Sequence, residues 1–295
     1  MLRTLILNIY SQINNFYSGE NMKLNFHKSL WEVQCTTEEE LSHHLAVIQK
    51  EGYCGTELFL PFYEIDVDAT LQAHSQCGLG IITGIATDGA NVEEHLVSLH
   101  EQVARALQFS PTFINCHTGR DIFSLKDNLR LFEAALELEQ KHNVKITHET
   151  HRFRPTFSTF GTEKIIDELP ELKLNLDISH WMVVHESDLS DQQERLNKLF
   201  KNVHHIHGRV GYEEGPQVTN PQDERWQEHL INHTKLWQKV VDNAVFREDD
   251  ILTVTPEFGP FPYAHVHPET DELLTDIWQA NHFMKQYLSQ QLVVN

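Results

Sequence analysis

The sequence predicts a single-domain α/β fold, a (β/α)8 TIM barrel with an extended loop after the seventh strand. Three observations predict it. Short β-like runs end near Trp31, Glu57, Ile85, His117, Glu149, Asp177, His207 and Glu257, at intervals of 26, 28, 32, 32, 28, 30 and 50 residues. An amphipathic helical pattern follows each run, and such alternation argues for a parallel sheet. Eight units fit within 295 residues, which points to a closed barrel rather than an open sheet.

Residues 1–21 precede the first run. Their apolar core is interrupted by Gln12, Asn14 and Asn15 and lacks a small-residue cleavage site, so they read as an extension outside the barrel rather than a signal peptide. Met22 is the expected natural start, with residues 22–295 forming the barrel. The first helix should follow Thr37, which sits at capping-box spacing from Glu40, with Leu41, Leu45 and Ile48 on one face and Gly52 past its end. Asn91 can cap a helix carrying Leu96, Leu99, Val103 and Leu107. Ser124 opens another, in which Leu125, Leu129, Phe132 and Leu136 recur at helical spacing, and Asn143 can end it.

The final interval exceeds the others by about 20 residues, so the polar segment from Gly211 to about His229, with Pro216 and Pro221, is expected to be an inserted loop. Its Tyr212, Glu213, Glu214 and Gln217 suit either a lid or an oligomer contact, which leaves a homo-oligomer open. The stretch DELLTDIWQANHFMKQYL is expected to cover the last flank of the barrel as a long helix.

Composition narrows the function. With 43 acidic against 23 basic side chains the net charge is −20, which disfavours nucleic acid and anionic membrane as partners. No apolar run approaches the roughly 20 residues needed to span a bilayer, and the chain reads as cytoplasmic. Cys35, Cys54, Cys77 and Cys116 contain no C-x-x-C pair and read as buried reduced thiols. There is no G-x-G-x-x-G or Walker pattern for a nucleotide. The 20 histidines, nearly as many as Lys and Arg together, are the compositional anomaly.

Strand parity locates candidate chemistry. In LKLNLDISH, Leu174, Leu176 and Ile178 oppose Asn175 and Asp177; in ILTVTPEFG, Leu252 and Val254 oppose Thr253, Thr255 and Glu257. Thr147, Glu149 and His151 share one parity, as do Asn115 and His117, and His205, His207 and Arg209. If the apolar sets face the helices, the polar sets converge on the barrel axis, near the strand C-termini where this fold builds active sites. Four runs then end in metal-competent side chains: Glu149, Asp177, His207 and Glu257. Three carboxylates in one narrow mouth repel unless protonated or paired with a cation, and a divalent metal satisfies them. His204, of opposite parity, should face the helices. Glu57 has inward parity but reads as a structural partner of a buried basic group. Helical histidines such as His43, His44, His95 and His100 read as solvated or packing groups.

At these residues the chain resembles the xylose isomerase-like TIM barrels, the sugar isomerase/epimerase superfamily that also contains endonuclease IV. The motifs are THETHR from Thr147, LDISHW from Leu176, HIHGR from His205 and PEFG from Pro256, in family order. The resemblance implies a carbohydrate-metabolism enzyme holding one divalent ion (Mn, Mg, Co or Zn) on Glu149, Asp177, His207 and Glu257. It further implies that Glu149 and Glu257 are the acid/base pair of an isomerase or epimerase acting on a small sugar, sugar acid or polyol ketone through a metal-bound enediolate. His180 is placed against substrate or a second metal, Arg209 is expected to orient substrate or pair with a nearby acid, and His117 to line the pocket. His151 fits either substrate contact or support of a metal carboxylate.

Alternatives on the same site are a dehydratase or lyase sharing the first proton abstraction, an endonuclease IV-like phosphodiesterase, and a non-catalytic carbohydrate-binding barrel. The endonuclease branch needs more ligands than the chain offers: GIITGIATDG has no histidine, and Asp223 is followed by Glu224, Arg225 and Trp226 rather than a D-x-H pair.

Overall fold

The structure, a computed structural model, describes residues 22–33 and 37–295. The expectations for residues 1–21 and for Cys35 lie outside the described residues. Eight parallel strands close in sequence order: β1 (Lys23–Ser29), β2 (Gly55–Phe59), β3 (Gly80–Ala86), β4 (Phe113–His117), β5 (Ile146–Glu149), β6 (Lys173–Leu176), β7 (Val203–His207) and β8 (Ile251–Thr255). Pairing of β1 with β8, Lys23 opposite Ile251 through Phe26 opposite Val254, closes the ring.

Helices α1 (Glu38–Lys50), α2 (Val67–Cys77), α3 (Val92–Leu107), α4 (Leu125–His142) and α5 (Thr159–Glu168) follow the first five strands. After β6 come α6 (Ile178–His185) and α7 (Gln193–Leu199), after β7 α8 (Gln227–Phe246), and after β8 α9 (Ile277–Gln291). The capping residues read from the sequence close these helices. Thr37 and Glu40 form a reciprocal capping box on α1, Asn91 and Ser124 accept from the first turns of α3 and α4, and Asn143 leaves α4 in the left-handed conformation at φ 49°.

Where helix faces or ends differ from the sequence pattern, tertiary contact decides. The buried face of α4 is Asn128, Leu131, Phe132, Ala135 and Leu138, so Leu125 is exposed while Leu129 and Leu136 are half-buried. The C-terminal helix begins at Ile277, capped by Asp276, and not at Asp271. Leu273 instead bridges to Val266 within the loop. The inserted loop ends at Trp226, where α8 takes over. Cys116 is buried and Cys77 partly so, but Cys54 is exposed.

The core has two layers. Outward-facing Ile114, Ile146, Leu174, Leu176, Ile206 and Val254 share one packed cluster with Leu45, Ile48, Leu99, Val103, Phe132, Trp237 and Met284, all buried. Each fully buried aliphatic side chain contributes about 1.5–3 kcal/mol. The inward layer is mostly polar: Asn115, Thr147, Glu149, Asn175, His205, His207, Thr253 and Thr255 are buried within the barrel, with the Phe113 ring against His205 at 5.1 Å. At Gly84, on β3, an added Cβ would lie 2.8 Å from the Phe59 ring, so the missing side chain gives that ring its place beneath the mouth.

Candidate active site

Glu149 ends β5, Asp177 follows β6 by one residue, His207 ends β7, and Glu257 lies two residues beyond β8. Parity turns all four toward the axis. Their ligand atoms lie within 4.8 Å of one another. His207 Nδ1 is 2.8 Å from Glu257 Oε2 and 3.5 Å from Glu149 Oε2. It is buried and aligned for no hydrogen bond. Oxygen and nitrogen ligands ~2.1 Å from a common ion lie about 3.0–3.4 Å apart, so these acceptors have the spacing of one coordination shell. The donor set of three carboxylates and one imidazole fits a hard or borderline divalent ion.

The rest of the barrel holds this cluster in place. Asn115 Nδ2 donates to Glu149 Oε2 at 2.9 Å and to Glu57 Oε1 at 3.1 Å, bridging two carboxylates. Asp177 caps α6 by accepting from the backbone N–H and hydroxyl of Ser179, at 3.1 and 2.6 Å. It also pairs with the Arg209 guanidinium. The Thr150 hydroxyl donates to the Asp177 carbonyl and accepts from its N–H, both at 2.9 Å, fixing the turn that aims the carboxylate.

Electrostatics follow from burying so many acids together. Burial raises the pKa of Glu149, but the imidazoles of His117 and His207 outweigh it and hold the carboxyl well below the usual range. Burial prevails at Asp177 despite Arg209, and at Glu257 despite His207, so both are pushed up. Burial works against a charged His207, yet Glu257, Glu57 and Glu149 hold it well above the ordinary histidine value. The cluster therefore draws positive charge, as a cation site does.

Above it opens a cavity of about 260 Å³, lined on its polar side by Glu57, Asn115, His117, Glu149, His151, Arg209 and Glu257. Trp31, Phe59, Phe62 and Tyr263 form an aromatic wall, with Trp31 and Tyr263 edge to face at 5.1 Å and Phe59 and Phe62 at 4.8 Å. His117 lines the cavity and its Nε2 is 2.8 Å from Glu149 Oε2. Arg209 lines it as well, with the Tyr263 ring 4.6 Å from its guanidinium. His180 does not reach it. That ring is fully buried, 3.5 Å from Asp177 Oδ2 and 2.9 Å from Arg209, and His151 covers it with ring centroids 3.9 Å apart. Burial, with His151 and Arg209 beside it, holds His180 well below its ordinary pKa.

Sequence reasoning missed part of the assembly. Glu57 does pair with buried basic groups, but these are His207 at 3.0 Å and His205 at 3.2 Å. Glu57, His205 and His207 thus form a second group of converging metal-competent atoms. Inward parity at Glu57 and His205 was the available signal. The aromatic wall carries no motif: Trp31 lies beyond β1, Phe62 beyond β2, and Tyr263 six residues after Glu257.

A family model described as xylose isomerase-like TIM barrel matches residues 45–241. No curated protein sequence matches the chain. Among solved structures, D-allulose 3-epimerase from Methylomonas sp. in complex with D-allulose is 12% identical, with 92% of this chain and 100% of that chain covered at a TM-score of 0.63. A sugar phosphate isomerase/epimerase from Parabacteroides distasonis is 12% identical over 94% of this chain and 97% of that chain, at 0.59. A probable 3-DHS dehydratase from Bacillus anthracis is 18% identical over 81% and 94%, at 0.57. At these identities the likeness is one of fold, and each of these neighbours is described as an enzyme. Fold and family model agree: the chain belongs to the xylose isomerase-like TIM barrel family.

Proposed function

We propose that the protein is a divalent-metal-dependent isomerase or epimerase of a small sugar, sugar acid or polyol ketone, with Glu149 and Glu257 as its acid/base pair. The observation that carries this reading is the convergence of Glu149, Asp177, His207 and Glu257, of which Glu149 and Glu257 line an aromatic-walled cavity. Such a cavity suits a ligand with apolar C–H faces and a polar rim.

Glu149, Asp177, His207 and Glu257 would hold the cation, which supplies Lewis-acid polarisation of a substrate carbonyl. The chain's own groups do the rest. Glu149 and Glu257 approach the cavity from β5 and β8, so one removes a proton from the carbon beside the carbonyl and the other returns one. Arg209, buried beside both Asp177 and the cavity, orients a hydroxyl or carboxylate of the substrate. His117 holds the Glu149 carboxylate and contacts substrate from the β4 side. His180 supports Asp177 and Arg209 from below. The aromatic wall keeps water from the reacting carbons.

Solvent exchange tests this reading. In D2O with Mn²⁺ and a panel of small ketoses, the protein should incorporate deuterium beside the carbonyl, and Glu149→Gln and Glu257→Gln should each slow that exchange at least ~100-fold. Near-native exchange in either variant overturns the acid/base assignment. Exchange accompanied by an unsaturated product would assign a dehydratase instead, and sugar binding with no exchange would assign a binding protein.

A further inference from the structure

Beyond β8 the chain leaves the sheet, yet the segment bearing Glu257 is held as firmly as a strand. In an extended chain, successive residues point their N–H and C=O groups to opposite sides. Phe258 is met on one side by the Asn281 carboxamide of α9, whose Oδ1 accepts from the Phe258 N–H at 2.7 Å while its Nδ2 donates to the Phe258 carbonyl at 2.9 Å. Gly259 is met by Gln217 from the inserted loop, whose Oε1 accepts from the Gly259 N–H at 2.8 Å and whose Nε2 donates to its carbonyl at 3.1 Å. Asn281 is 0% exposed and Gln217 3%, so neither pair is shared with solvent. Gly259 is in turn pressed on Trp31 of the cavity wall, where a Cβ would lie 2.5 Å from the ring.

We infer that Gln217 and Asn281 are positioning residues that stand in for missing strands and fix the Glu257 carboxylate against His207 Nδ1. Gln217 is then neither lid nor oligomer contact but the bond through which the β7 loop sets the geometry of the β8 loop. Because it concerns how firmly Glu257 is presented to a cation, the inference rests on the reading of Glu257 as a ligand. It predicts that loosening the clamp weakens metal binding with the barrel intact, since partners that orient metal ligands typically contribute ~10–100-fold in affinity.

Calorimetric titration with Mn²⁺ compares the wild type with Gln217→Met, Gln217→Glu, Gln222→Ala and Glu257→Gln, the fold of each checked by circular dichroism. Gln217→Met, near in size but unable to pair with Gly259, should raise the Mn²⁺ Kd about 10-fold or more. Gln217→Glu sets a carboxylate oxygen against the Gly259 carbonyl where the amide donated, and should also raise the Kd, at least as much as Gln217→Met. Gln222→Ala, at an exposed position of the same loop, should bind as the wild type does. Wild-type affinity in both Gln217 variants, with weakened binding in Glu257→Gln, overturns the clamp alone. Wild-type affinity in Glu257→Gln overturns the reading of Glu257 as a ligand, and the clamp with it.

Discussion

His207 uses its two ring nitrogens on opposite sides. Nε2 lies 3.0 and 3.1 Å from the two Glu57 oxygens, and Nδ1 faces Glu257 and Glu149. The carboxylates favour a proton on each nitrogen, so a cation at Nδ1 would displace the proton there, while the Nε2 proton stays directed at Glu57, the arrangement by which a carboxylate fixes a ligand's tautomer. His204, one strand position from the inward-facing His205, points outward instead and lies 4.0 Å from Asp249. Elemental analysis should therefore find His207→Ala depleted in bound divalent metal and His204→Ala as loaded as the wild type. Equal loss in both variants would undo the assignment. The contrast between these positions was legible in the sequence because a strand alternates faces with every residue. The covering of His180 by His151 was not, because parity says which way a side chain points and nothing of what packs over it.

Among the elements, α6 joins structure to site most closely. Asp177 is both a site carboxylate and the N-cap of that helix. The two roles separate by substitution. Asp177→Asn keeps an oxygen for the Ser179 N–H but leaves the buried Arg209 guanidinium without its charged partner, so metal content should fall and unfolding free energy should drop by about 3–5 kcal/mol. Asp177→Ala loses the cap as well and should cost a further ~1 kcal/mol in chemical denaturation. Equal stability of the two variants would show that the cap contributes nothing. Caps and strand faces were readable because each depends on residues a few positions apart. The aromatic wall and the hold of Gln217 on Gly259 were not, since they join residues from different loops that only the closed barrel brings together. The true start of α9 escaped for a related reason: Leu273 and Leu274 continue a helical pattern but belong to the preceding loop, ahead of the Asp276 cap.

For the whole molecule, eight of the 20 histidines are buried, and five of these, His27, His74, His95, His148 and His233, lie outside the site cluster. Buried imidazoles meet threonine hydroxyls at His74 and Thr56, His95 and Thr87, and His148 and Thr118, at 2.7–2.8 Å. Burial lowers His27 and His233 to about 4 and His148 to about 3, with neighbouring cations adding to it at His27 and His148. Below pH 6.5 the unfolded chain binds protons that these folded sites refuse, so stability falls as pH drops from 6.5 toward 4 and is unaffected by them above that range. Each such group contributes a slope of about 1.4 kcal/mol per pH unit, and the three together about 4. Thermal unfolding should show a steep loss of Tm between pH 6 and 4, and a flat profile there would contradict neutral burial. Among the described residues no helix is long and apolar enough to cross a membrane.

The central claim is that one divalent cation is held jointly by Glu149, Asp177, His207 and Glu257. The most direct measurement is anomalous scattering from crystals of the protein equilibrated with Mn²⁺. The account predicts a peak ~2.0–2.3 Å from a side-chain atom of each of the four residues, where Glu149 and Glu257 line the aromatic-walled cavity. A map with no peak there, or with its peak among other residues, would contradict it.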